Sequence, residues 1–150
     1  LFRLVSKGKL TEGLFKGETI NTPSLLVVED AIFAMEWAKG LGGRAALIAR
    51  SDANAAALDA IVAARPWLGH LAKDPATRSK TSVCLTVEGA DADFIKAFCA
   101  LLDAEGAALD IASYRDAPPG LRIWCGATVE TADIEALGPW LDWAWATMHS

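Results

Sequence analysis

The sequence is poor in the residues that hold metals. Its two histidines, His70 and His149, lie far apart, and Cys84, Cys99 and Cys125 form no CxxC pair. A structural zinc site needs four such ligands, usually in close pairs, so no metal is expected. Three widely spaced cysteines also make a poor disulfide framework. They read as buried free thiols of a reducing compartment. The chain has no GxxxxGK[ST] and no GxGxxG, which argues against the familiar nucleotide phosphate loops. It has no GxSxG, so a nucleophile elbow is not supported. No apolar run reaches the length of a bilayer span, and a soluble chain is expected. Basic charge is in short supply: 14 Lys and Arg face 19 Asp and Glu, for a net charge of −5. With a pI near 5.0 and no basic patch, nucleic acid is not an expected partner. An anion site remains open, because one arginine in a cleft is enough.

Apolar residues are abundant. They make up 53% of the 150 residues against 22% charged, which excludes a disordered chain. The length fits one domain, or one domain with an arm, and is enough for a core without staples. So much apolar surface in a small chain points to a covering partner subunit or a further domain. The opening, LFRLVSKGKL, lacks the charged-then-apolar pattern of a secretory signal. It reads as the start of a fragment or of a trimmed product.

Residues 1–20 mix glycine, lysine and isolated apolar residues and read as loop with short extended pieces. A helix is predicted from Pro23 to Lys39, with Asn21 and Thr22 as capping residues, Pro23 in its first turn, and Gly40, Gly42 and Gly43 as its stop. Leu25, Val28, Ile32 and Met35 make one stripe, and Leu26, Phe33 and Trp37 make another. Only Glu29 and Glu36 give a polar seam, so this helix is expected to be covered on most sides, as at an interface. Residues 44–65 read as one long alanine-rich helix ended by Pro66. Residues 66–80 read as a loop in which Lys73, Arg78 and Lys80 are solvated. The rest reads as strand Thr81–Val87, helix Ala90–Glu105, strand Ala108–Tyr114, turn Asp116–Gly120, strand Leu121–Ala127, and a helix from Ala132 to Met148 capped by Thr131. The expected fold class is α+β, with a three-stranded, mainly antiparallel sheet, helices on one face, and a long interface helix before it.

Two places carry candidate chemistry. Asn21 and Thr22 before a helix offer short polar side chains beside free amides, an arrangement suited to phosphate; plain capping is the competing explanation. Arg122 interrupts the apolar strand LRIWCGA. It reads either as a structural ion pair or outward-facing residue, or as a bidentate clamp for a carboxylate. Arg115, in the same hairpin, adds a second positive charge. Asp91 and Asp93 open a helix, where a dipole role is favoured over acid–base work.

Three stretches, GETINTPSLLVVEDAIFAMEWAKGLGG, DPATRSKTSVCLTV and YRDAPPGLRIWCGATVETADIEALGPWLDW, span most of the chain in order. Together they resemble the C-terminal portion of the phosphoserine aminotransferase family, fold-type-I enzymes of serine biosynthesis. The resemblance implies that residues 1–45 end a large cofactor domain with a bridging helix, and that 46–150 form a small C-terminal α+β domain. It implies pyridoxal 5'-phosphate as cofactor, with Asn21 and Thr22 reaching its phosphate across a homodimer. Arg122 matches the arginine that binds the substrate α-carboxylate. Tyr114-Arg115 stands where many members carry a His-Arg pair, so Arg115 is a substrate-binding candidate. The family's cofactor-bearing lysine lies well upstream of the NTP motif; Lys7, Lys9 and Lys16 are too close to Asn21 to match it. No catalytic residue is therefore assigned here, and the fragment alone is expected to be inactive. The whole protein would be a cytoplasmic homodimer acting on phosphoserine, glutamate, 2-oxoglutarate and 3-phosphohydroxypyruvate. The alternative is a non-catalytic small-acid-binding or dimerisation module with a ferredoxin-like sheet.

Overall fold

The computed structural model describes residues 4–19 and 21–150, so the loop assigned to 1–20 falls outside the described residues at positions 1–3 and 20. The chain forms two compact units, residues 1–43 and 44–150.

The first unit opens with a hairpin of β1 (Val5–Ser6) and β2 (Lys9–Leu10). Its two turn residues, Lys7 and Gly8, both have positive φ, 49° and 74°. That is the turn whose twist matches a two-residue hairpin, and glycine meets it without strain. A 3-10 turn, Glu12–Lys16, follows. Helix α1 spans Leu25–Gly40 and starts later than the sequence suggests. Ser24 is its N-cap, so Asn21, Thr22 and Pro23 all precede the helix. The residue before a proline is driven to extended backbone, which keeps Thr22 out of the helix. No residue of α1 is buried.

In the second unit, α2 (Gly43–Ala63) is a single helix, as expected. Strands β3 (Leu68–His70), β4 (Ser82–Val87) and β5 (Gly120–Trp124) form an antiparallel sheet in the order β3-β4-β5. The three-stranded antiparallel sheet is borne out, but its membership differs. The segment 108–114 makes only one bridge to β5, Ala112 to Leu121. Asp110 within it has φ 53°, a left-handed conformation that breaks an extended strand. The third strand is β3, hidden in the sequence because three residues between Pro66 and Pro75 show no alternation.

Helix α3 (Ala92–Ala104) is capped by Asp91, whose carboxylate accepts from the Phe94 amide at 2.8 Å, so the structural role read for this residue holds. Helix α4 spans Thr131–Met148. Its N-cap is Glu130, not Thr131, because the Thr131 hydroxyl donates to Asn54 Oδ1 at 2.7 Å. Strand β4 alternates, with Val83, Leu85 and Val87 buried and Ser82, Cys84 and Thr86 partly open. The buried side meets Leu58 of α2, Phe98 and Leu102 of α3, and Leu141 of α4 in one core. Burying each such side chain stabilises by about 1.5–3 kcal/mol. The helices thus cover one face of the sheet and leave the other available.

Candidate functional site

Arg122 lies on the uncovered face. It pairs across the strands with Cys84, whose side of β4 is the half-open one. Placing it there follows from alternation: Leu121 and Ile123 point into the core, so the residue between them cannot. Strand β5 begins at Gly120, where a Cβ would collide with the Leu85 carbonyl. Glycine allows the close approach that fixes this register.

The guanidinium of Arg122 is held on two sides. The Tyr114 ring lies 4.7 Å from its central carbon, a cation–π contact. Tyr114 is itself tethered, its hydroxyl 3.3 Å from Ser82 Oγ. From the other side, Nη2 donates to Asp110 twice, to Oδ2 at 2.9 Å and to the main-chain oxygen at 3.2 Å. The hydrogen bond to Asp110 raises the Arg122 pKa further, so this group is a fixed cation. Its Nε is buried and has no partner among the described residues. The structure therefore shows an ion pair that leaves part of the guanidinium fork unused.

Arg115 is exposed in the turn after Tyr114. Asn21 and Thr22 are exposed in the other unit. Neither is a helix cap, and the Ser24 side chain also makes no capping hydrogen bond, so the first amides of α1 lack a side-chain acceptor.

Several organising residues escaped the sequence reading. Asn54 is 1% exposed in the middle of α2. Its Nδ2 donates toward the carbonyls of Cys125, Gly126 and Val129 at 3.1–3.3 Å. Arg50, one turn earlier, donates through Nε to the Ala127 carbonyl at 2.9 Å and pairs with Glu130. Together they pin the segment that leaves β5 just beyond Arg122. An asparagine in an alanine-rich helix was the available signal. His70 contacts Asp59 at 3.0 Å, and burial, with Arg78 second, lowers its pKa. Arg78 is not freely solvated as expected: it is half-buried and its Nε donates to the Ala72 carbonyl at 3.1 Å. Lys80 pairs with Asp52 at 2.9 Å. The three cysteines are free, and burial pushes the thiol pKa of Cys99 and of Cys125 up to about 11.

No family model matches the chain. Curated relatives do. Phosphoserine aminotransferase of Methanosarcina mazei is 46% identical over 145 residues, 97% of this chain and 39% of the relative. The phosphoserine aminotransferase of Methanosarcina barkeri is 47% identical over the same shares. The chain thus spans about two-fifths of the length of the curated relatives it matches. Among solved structures, a phosphoserine aminotransferase studied for radiation damage of its Schiff base matches with a TM-score of 0.78 at 17% identity, over 92% of this chain and 38% of that one. A PLP-bound phosphoserine aminotransferase from Trichomonas vaginalis matches with a TM-score of 0.75 at 19% identity, over 86% and 36%. At such identities the structures speak for the fold alone. Nearly the whole of this chain is thus similar in sequence to part of two phosphoserine aminotransferases, and in fold to part of two solved ones.

Proposed function

We propose that this chain is the C-terminal portion of a phosphoserine aminotransferase, which moves an amino group between glutamate and 3-phosphohydroxypyruvate in L-serine biosynthesis. The observation that carries the reading is the 46% and 47% identity to two proteins of that name. In this reading residues 1–45 close the cofactor domain and bridge it to the small domain, 46–150. The whole protein is a cytoplasmic homodimer. What supports a dimer is α1, whose Leu25 and Phe33 are 80% and 76% exposed and need a covering surface. Among the described residues no helix is long and apolar enough to cross a membrane.

The start of α1 fits one part of pyridoxal 5'-phosphate, its phosphate. Two exposed polar side chains, Asn21 and Thr22, stand before amides that no side chain caps. When bound, the cofactor supplies an electron sink for the substrate's α-carbon. Arg122 holds the α-carboxylate that both amino-acid substrates share, so one clamp serves both half-reactions. Tyr114 orients that clamp from its ring face. Arg115, exposed in the neighbouring turn, offers positive charge to the substrate's second acidic group. No lysine is assigned to carry the cofactor, so the fragment supplies binding groups and not the amino-transfer step itself.

The test uses the full-length protein with pyridoxal phosphate, following glutamate formation from phosphoserine and 2-oxoglutarate. Turnover is expected, and Arg122→Lys should lower kcat/KM at least about a hundred-fold, roughly 2.7 kcal/mol. Lysine keeps the charge and loses the fork. A protein with no turnover, or a variant of unchanged efficiency, would refute the reading.

A further inference from the structure

We propose that Asp110 is a displaceable placeholder in the Arg122 clamp: a carboxylate of the chain itself that occupies the guanidinium until a substrate carboxylate replaces it. This rests on the reading of Arg122 as a carboxylate clamp. Three observations lead to it. First, the pair is lopsided. The Asp110 side chain is 88% exposed and that of Arg122 only 21%. Breaking the pair returns the Asp110 carboxylate to the water it already faces.

Second, Arg122 does not depend on Asp110 for its place. It is also held by its ring-face contact with Tyr114 and the Tyr114–Ser82 tether behind it, neither of which involves Asp110. Third, the fork is only partly used. Both bonds to Asp110 leave from Nη2, and the other terminal nitrogen, Nη1, makes none among the described residues. An incoming carboxylate that engages the fork bidentately makes a bond that Asp110 does not. The exchange is therefore downhill, yet each substrate must first displace a like charge.

Asp110 sits at φ 53°. Asparagine tolerates that left-handed region as well as aspartate does, and glycine more easily still. Asp110→Asn and Asp110→Gly therefore remove the charge without forcing the backbone. In the full-length protein, calorimetric titration should show glutarate, the dicarboxylate skeleton of glutamate, binding about three- to ten-fold more tightly to both variants. KM for glutamate and for 2-oxoglutarate should fall by a similar factor, the gain lying in KM and not in kcat. Raising the salt concentration should shrink the difference, because it screens the competing charge. Arg122→Lys run alongside separates the two ideas. If it weakens glutarate binding while neither Asp110 variant tightens it, the placeholder is overturned and the clamp stands. If Arg122→Lys leaves glutarate binding and KM unchanged, the clamp falls and the placeholder falls with it. Weaker binding together with lost thermal stability in both Asp110 variants would make Asp110 a structural support and also overturn the proposal.

Discussion

Helices α1 and α3 contain similar fractions of apolar residues and behave in opposite ways. In α3, Ile95, Phe98 and Leu102 fall at i, i+3 and i+7 and are all buried. In α1, apolar residues occur all round, and none is buried. The contrast extends to the units that hold them. None of the described residues of 1–43 is buried, whereas in 44–150 helices α2, α3 and α4 and strands β3, β4 and β5 all contribute to one core. A core needs apolar residues concentrated on one side of each element. A helix apolar on most sides cannot be satisfied by one small sheet, and its stability has to come from other surfaces.

The sharpest way to break this comparison is to truncate one phenylalanine in each unit. Phe98→Ala removes a side chain with no exposure and should cost about 3–5 kcal/mol in denaturant unfolding. Phe33→Ala in the same chain should change stability by less than about 0.5 kcal/mol. A large loss at Phe33 would mean that the first unit has a core of its own. Next comes Asn54→Ala. It removes the amide donor shared by the Cys125, Gly126 and Val129 carbonyls, of which Gly126 and Val129 keep another donor, and the acceptor of the Thr131 hydroxyl, at a cost of about 2–3 kcal/mol. Hydrogen exchange should report loosening at residues 125–131 before the rest of the unit.

A smaller effect concerns pH. Burial holds the folded-state pKa of His70 below its ordinary 6.5. The unfolded chain then binds the proton more readily, so His70 lowers stability as pH falls from about 6.5 through the folded pKa. His70→Gln should flatten this part of the stability profile, as read by urea midpoints across that range. The smallest effect on the chain's own stability is expected from Leu26→Glu with Phe33→Glu, under about 0.5 kcal/mol. In the full-length protein the same pair should weaken self-association, measured by sedimentation.

Much of this organisation is legible in the residues. The alternation of TSVCLTV marks β4, and the spacing in 92–104 marks α3. Arg122 stands out as a charge between Leu121 and Ile123. What the sequence hides is set by partners distant along the chain. β3 is a strand because β4 offers it an edge, not because LGH favours one. The stretch ALDIASY has strand composition, yet Asp110 turns left-handed and ties its carboxylate to Arg122. Likewise, no local pattern reveals that Asn54 would serve residues more than 70 positions away.

That long reach has a consequence for how the unit is made. Asn54 and Arg50 bind residues 125–131, and Arg65 grips Asp142 through two hydrogen bonds of 2.6 and 2.7 Å. The first helix of the unit is thus closed by its last. During synthesis α2 leaves the ribosome before α3, β5 and α4 and waits for some seventy further residues before its buried amide finds an acceptor. Until then its apolar face is uncovered, and a chain stopped before α4 cannot complete the fold. The second unit should therefore acquire its structure all at once, when residues 125–148 have been made, and not by stepwise growth from its amino-terminal side.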